Sequence, residues 1–153
     1  MFRRLLLALA LFASVPAGAQ DRPVTYWASL RAGEVNMRVG PSESYPISWV
    51  YHRAKLTVKV IRLYQGWRLV RDQDGAEGWI VARLLDPERT AVVIGKGLAP
   101  MRAEADPRAA LHWNLEPGVV GKLRECDNGW CQLDVEGRKG WVEQKRLWGA
   151  GDP

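Results

Sequence analysis

Cysteine and histidine are scarce, with two of each among 153 residues. Cys126 and Cys131 form no Cys-x-x-Cys pair, and only His52 and His112 could join them, so a zinc site is not expected. Also absent are a G-x-S-x-G turn, an H-E-x-x-H helix and a phosphate-binding loop. Carboxylates such as Glu34, Glu43, Asp72 and Glu77 are scattered, with no pairing that acid–base work would demand. The expectation is a chain with no catalytic residue, no metal and no cofactor. There is no run of five like charges and no basic arm, so nucleic acid is not an expected partner. No stretch keeps a convincing helical period, which excludes an all-α fold.

Long hydrophobic runs are missing too. The longest, Leu5 to Val15, is interrupted by Ser14 and is shorter than the roughly 20 residues a membrane helix needs. It follows a basic pair, Arg3 and Arg4, and precedes the small residues Ala17-Gly18-Ala19. That order reads as a secretory signal peptide over 1–19, cleaved after Ala19, with an uncleaved N-terminal anchor as the alternative. The product would be periplasmic or secreted, with no transmembrane segment left after cleavage. No cysteine follows the apolar run, so a lipid anchor has no attachment point. Without Arg3 and Arg4 the formal charge of +5 falls to +3. Such mild basicity suits an anionic surface but is equally ordinary for a soluble one.

Tryptophan, by contrast, is abundant, with eight residues. Four of them form Gly-Trp pairs at Gly66-Trp67, Gly78-Trp79, Gly129-Trp130 and Gly140-Trp141. The first two tryptophans are 12 residues apart, the last two 11, and the two sets are offset by 63 and 62. Met37-Arg38 recurs 64 residues on as Met101-Arg102, and Trp49 as Trp113. One small module is therefore present twice. After an N-terminal extension (20–25), the units span 26–85 and 91–148, joined by a polar linker (86–90) and followed by a short tail (149–153) that reads as frayed.

Within each unit the pattern is strand, turn, strand. Leu56 to Val60 alternates with period two, as does Cys131 to Val135. Asp72-Gln73-Asp74-Gly75 and Glu136-Gly137-Arg138-Lys139 are turn signals, and Val81 to Leu84 suits a single helical turn. Short strands at roughly ten-residue spacing point to an all-β fold of small barrels or sandwiches. Sixty residues is marginal for one core, so the simplest use of the tryptophans is to fill two undersized interiors.

The segment Glu34-Val35-Asn36-Met37-Arg38-Val39-Gly40-Pro41-Ser42, then Tyr45-Pro46, Gly66-Trp67 and Gly78-Trp79-Ile80, resembles the bacterial SH3-like (SH3b) domain. The second unit opens with a degraded version, Pro100-Met101-Arg102-Ala103-Glu104, and regains the pattern at Gly129-Trp130-Cys131. The whole arrangement resembles exported tandem SH3-like proteins of Gram-negative bacteria. That resemblance implies two tandem five-stranded barrels, each with a 3₁₀ turn before its last strand. It also implies a binding role. Relatives fused to cell-wall hydrolases use the domain to hold peptidoglycan or its peptide stems. The expected function is therefore an exported, non-catalytic module recognising peptidoglycan. The alternatives are a module binding an extended peptide of a periplasmic protein, or a regulatory subunit of a cell-wall hydrolase.

Four residues are the candidate ligand contacts. Trp130 shares a strand face with Gln132 and Asp134, opposite Cys131, Leu133 and Val135, so it should lie on the wetter side. Trp67 is its counterpart in the first unit, and both are better candidates than Trp79 and Trp141, which are assigned to the core. Tyr45 sits in a Gly/Pro/Ser loop and carries a polar tip. Arg38 suits a carboxylate ligand or, alternatively, a salt bridge that fixes this loop. Because the second unit has lost the loop residues, the first is the one expected to bind. Cys126 and Cys131 can face each other across a four-residue turn and form a disulfide. The alternative of a catalytic thiol finds only His112 nearby in sequence.

Overall fold

Alternating inward and outward side chains carry the described chain through fourteen strands, arranged as two copies of one topology. The computed structural model describes residues 24–153. The expected signal peptide and most of the expected 20–25 extension lie outside the described residues. The first unit contains β1 (Tyr26–Leu30), β2 (Val35–Arg38), β3 (Ile47–Tyr51), β4 (Thr57–Tyr64), β5 (Trp67–Arg71), β6 (Glu77–Val81) and β7 (Leu85–Asp86). The second contains β8 (Thr90–Val93), β9 (Ala99–Arg102), β10 (Leu111–Leu115), β11 (Val120–Asp127), β12 (Trp130–Val135), β13 (Arg138–Glu143) and β14 (Leu147–Trp148). The sheet orders are β3-β2-β6-β5-β4-β1-β7 and β10-β9-β13-β12-β11-β8-β14, the same order shifted by seven strands. Each unit thus has seven antiparallel strands where the resemblance implies five. The 3₁₀ turns Ala82–Leu84 and Gln144–Arg146 stand before the last strand of each sheet, as that resemblance implies.

All seven strands of a sheet feed one core, so each sheet must wrap around it. Ala28, Leu30, Val35, Met37, Tyr51, Val58, Val60, Val70, Ile80 and Leu85 fill the first. Ala91, Val93, Ala99, Met101, Leu115, Leu123, Cys131, Leu133, Val142 and Leu147 fill the second. Neither core contains a tryptophan, which overturns the expectation that tryptophans pack the interiors. The reason is local. In β6, Gly78 and Ile80 point inward, which turns Trp79 outward. A Cβ on Gly78 would lie 2.4 Å from Met37 Cγ, and one on Gly140 equally close to Met101 Cγ. The second glycine of each pair is therefore demanded by a methionine packed against the backbone. Gly129 serves differently. With Asn128 it supplies two consecutive positive φ values (+47° and +80°), the requirement of a type I′ hairpin turn.

The two units are docked on each other. Trp27, the one tryptophan below a tenth exposed, packs edge-on against Trp148 at 5.0 Å and donates from Nε1 to Gly151 O at 3.0 Å. The buried hydroxyls of Thr57 and Thr90 meet at 2.7 Å across the same seam. The expected linker shrinks to Pro87-Glu88-Arg89, because Asp86 ends β7 and Thr90 opens β8. The tail expected to fray is folded down as far as Gly151. Arg89 donates to Gly149 O at 2.8 Å, and Gly149 is buried.

Glu88 lies between Lys122 of the second unit and Lys55 of the first, 2.7 Å from the latter. Hydrogen bonds from Lys122, then from Lys55, hold its carboxyl down to about 2 from an ordinary 4.5. A depressed carboxylate stabilises the fold fully above its unfolded value and loses that contribution as pH falls through the folded one. Denaturant midpoints measured at pH 5 and pH 2.5 should therefore fall less for Glu88→Gln than for the native chain. Equal falls would show that this bridge contributes nothing.

Candidate functional site

The outer face of the first sheet is built by strand register. Trp67 opens β5 directly after the Gln65-Gly66 turn and pairs with Tyr64 on β4 and Val81 on β6. Two residues on, Leu69 pairs with Trp79, which in turn faces Arg38 on β2. Directly opposed residues project to the same side of a sheet, so Tyr64, Trp67, Leu69, Trp79 and Arg38 share one surface. Tyr64 and Trp79 contact edge to face at 6.3 Å. Trp67 and Trp79 are both half-buried, so Trp79 belongs to this surface and not to the core. The signal for its placement was present in the sequence: Ile80 anchors the inward parity of β6, and Trp79 must take the other.

Beside this surface the 39–46 loop is pinned by its own chemistry. Arg38 Nη1 donates to Tyr45 O at 2.8 Å. The Tyr45 ring lies over Gly40, where a Cβ would come within 2.5 Å of it, and the residue is nonetheless exposed. Val39 N donates to Pro46 O at 3.1 Å, closing the loop. Arg38 therefore fixes the loop through a backbone carbonyl and forms no salt bridge among the described residues. Arg102 does the same in the second unit, donating to Ala109 O at 2.9 Å. The clamp survives there although the Asn, Gly and Pro of the opening are gone.

In the second unit Cys126 and Cys131 face each other on β11 and β12 and are joined by a disulfide, as the hairpin spacing suggests. Trp130 follows the Asn128-Gly129 turn, half-buried, on the face with Gln132 and Asp134. It pairs with Glu143, and Trp141 pairs with Gln132 and Arg102, so Trp141 also lies outside the core. Of the four sequence candidates, Arg38 and Tyr45 are in direct contact and Trp67 lies on the same sheet, with β6 between its strand and that of Arg38. Trp130 is separate from them, on the second sheet. Two further tryptophans, Trp49 and Trp113, sit at matched places on the edge strands β3 and β10 and are 59% and 39% exposed. Among the described residues, no group of three His, Cys, Asp or Glu side chains is placed to hold a metal ion, and no helix is long and apolar enough to cross a membrane.

The family description "Bacterial SH3 domain" matches residues 31–87 and again 95–149, together well over half of the chain. The chain belongs to the bacterial SH3 domain family. Both matches begin after the first strand of their unit, yet β1 and β8 complete each bacterial SH3 core and take part in the contacts between the two domains. At 26% identity over 152 residues, the chain is similar to the putative N-acetylmuramoyl-L-alanine amidase YrvJ of Bacillus subtilis. The alignment covers 92% of this chain and 28% of that protein, so the tandem SH3 chain spans little more than a quarter of its relative. Similar solved structures include NlpC2 from Trichomonas vaginalis (11% identity, 82% of this chain, 48% of that one, TM-score 0.37). Another is an NlpC/P60 family protein from Bacillus cereus (10% identity, 80% of this chain, 56% of that one, TM-score 0.37).

Proposed function

We propose that this chain is a non-catalytic binding module of the cell envelope that holds peptidoglycan through the outer aromatic face of its first domain. The observation that carries the reading is the position of the tryptophans. A core without tryptophan leaves Trp67 and Trp79 on one outer surface beside Tyr64 and Arg38. Flat aromatic faces flanked by polar groups suit sugar rings and extended peptides. The similarity to a putative N-acetylmuramoyl-L-alanine amidase supports a surface that binds the polymer such an enzyme would cleave. Export to an oxidising compartment fits the Cys126–Cys131 disulfide and the pattern of residues 3–19.

Purified sacculi should co-sediment the protein at low salt. Replacing Trp67 and Trp79 by alanine should weaken binding about tenfold for each, since a buried aromatic contact commonly contributes the 1.4 kcal/mol that a factor of ten represents. Native protein that stays in the supernatant would sink the proposal.

A second reading is supported by the sheet edges. Strands β3 (Ile47–Tyr51) and β10 (Leu111–Leu115) each end a sheet, carry no Lys, Arg, Asp or Glu, and expose a tryptophan. Such an edge can accept an extended peptide of an envelope protein as an added strand.

A further inference from the structure

The duplication allows the two domains to be compared position by position, and one cleft differs. Beside Trp130 lies a cavity of ≈ 90 Å³ bounded by Pro100, Arg102, Pro107, Glu143 and Arg146. The matching residues of the first domain are Asn36, Arg38, Glu43, Val81 and Leu84, with Trp67 for Trp130. The tryptophan and the clamp arginine are kept, while two aliphatic positions have become a carboxylate and a guanidinium.

We infer that this cleft of the second domain binds the free carboxylate end of a short peptide whose last side chain is small. Size is the first argument. A water occupies about 30 Å³ of liquid, so the cavity has room for roughly three, the volume of a carboxylate with a methyl group and far less than a sugar ring. Charge is the second. Arg146 donates all three guanidinium nitrogens to the carbonyls of Ile94, Gly97 and Leu98, which fixes its positive charge at the wall. Arg102 commits only Nη1, to Ala109 O, and its remaining donors have no partner among the described residues. That leaves a two-pronged edge of the kind that grips a carboxylate. Glu143 is already paired with Lys145 at 2.7 Å, and Asp106, the other carboxylate that feels Arg102, is held by Arg108 at 3.3 Å, so neither cancels the arginines.

Continuity is the third argument, and it selects a peptide over a free acid. An open depression lined by Gly129, Gln144 and Lys145 adjoins the cavity and shares Trp130 and Glu143 with it. A chain whose terminus sits on Arg102 would run out over the Trp130 ring into that depression. The Cys126–Cys131 bridge and the Asn128-Gly129 turn hold the ring there. This site rests on the reading of the protein as a wall-binding module, and it names the part of the polymer that the second domain takes.

The test compares N-acetylated tri-alanine with a free C-terminus and the same peptide as its amide, titrated into uniformly ¹⁵N-labelled protein. The acid should shift backbone signals of Arg102, Trp130 and Glu143, and the amide should bind at least tenfold more weakly. Arg102→Lys keeps the charge and loses the fork, and should reproduce the tenfold loss. Because Arg102 also pins its loop, the melting temperature of that variant is measured alongside, and Arg38→Lys serves as the matched change in the other domain. Equal binding of acid and amide, binding of neither, or shifts confined to the first domain would overturn the inference. Sacculus binding that persists while both peptides fail would overturn this site alone. Peptide binding without sacculus binding would retain the site and remove the wall-binding reading.

Discussion

Replacing Gly149 by alanine is expected to lower the melting temperature by roughly 10 °C. Gly149 has φ +104°, where an alanine is strained by about 1–3 kcal/mol. Its new Cβ would also fall 2.6 Å from Thr57 Cγ2 and 2.6 Å from Thr90 O. The first is a side chain of one domain and the second is backbone of the other, so neither retreats without opening the seam between them. Overpacking of that kind adds about 1–3 kcal/mol. A total of about 3 kcal/mol corresponds to roughly 6–12 °C for a chain of this size. Gly137→Ala is the control. Gly137 also has a positive φ (+88°), but nothing lies within 4 Å of its Cβ position, so only the strain remains. Equal shifts for the two variants would mean that the contact between domains adds little stability.

That contact also explains what could be read in the sequence and what could not. Strands β4 and β12 were legible because each has one face on a core and one on solvent, which writes a period of two into the residues. β8 was not, since Thr90, Ala91, Val92 and Val93 are all buried. It lies between its own core and the first domain, so neither parity is free to be polar. β1 is hidden for the same reason: Trp27 and Ser29 face the seam while Ala28 and Leu30 face the core. The tail read as frayed from its terminal position alone. Its two glycines are what permit close approach, Gly149 against Thr57 and Thr90 and Gly151 near Gln144.

The site was half legible. Parity placed Trp130 on the outer face, and the duplication marked Trp67 as its counterpart. Trp79 and Trp141 were assigned to the core by contrast with these two, yet the neighbouring Gly78 and Gly140 take the inward direction and turn both rings out. The edge position of Trp49 and Trp113 depends on strand order, which is set by long-range pairing and leaves no local trace. The Arg38 clamp was foreseen in kind, although its partner is a carbonyl and not a carboxylate.

The second large effect concerns a polar pair inside the first domain. Asp72 is 6% exposed and accepts from three donors: Tyr51 Oη at 2.8 Å, Asp74 N at 3.0 Å and Ala76 N at 2.9 Å. Burial, and then the Asp72 carboxylate, push the Tyr51 phenol well above its ordinary range, so it is a protonated donor at neutral pH. Asp72→Ala would leave that hydroxyl only the weak thioether acceptor Met37 Sδ, at 3.5 Å, and loosen the turn to β6. A buried donor without a strong acceptor costs about 1–3 kcal/mol, and the lost turn bonds bring the expected destabilisation to about 3 kcal/mol. The second domain shows a different solution at the same place, with Leu115 for Tyr51 and Val135 for Asp72, both packed on its core. Removing both polar partners together should therefore be far cheaper than removing one. The double variant Tyr51→Leu with Asp72→Val is expected to lie within about 1 kcal/mol of the native chain, because matched apolar replacement of a buried pair is often close to neutral. Chemical denaturation of Asp72→Ala, Tyr51→Leu and the double variant measures the coupling directly. If the double costs as much as the two singles combined, Tyr51 and Asp72 stabilise the fold independently, and the apolar pair of the second domain is no substitute for them.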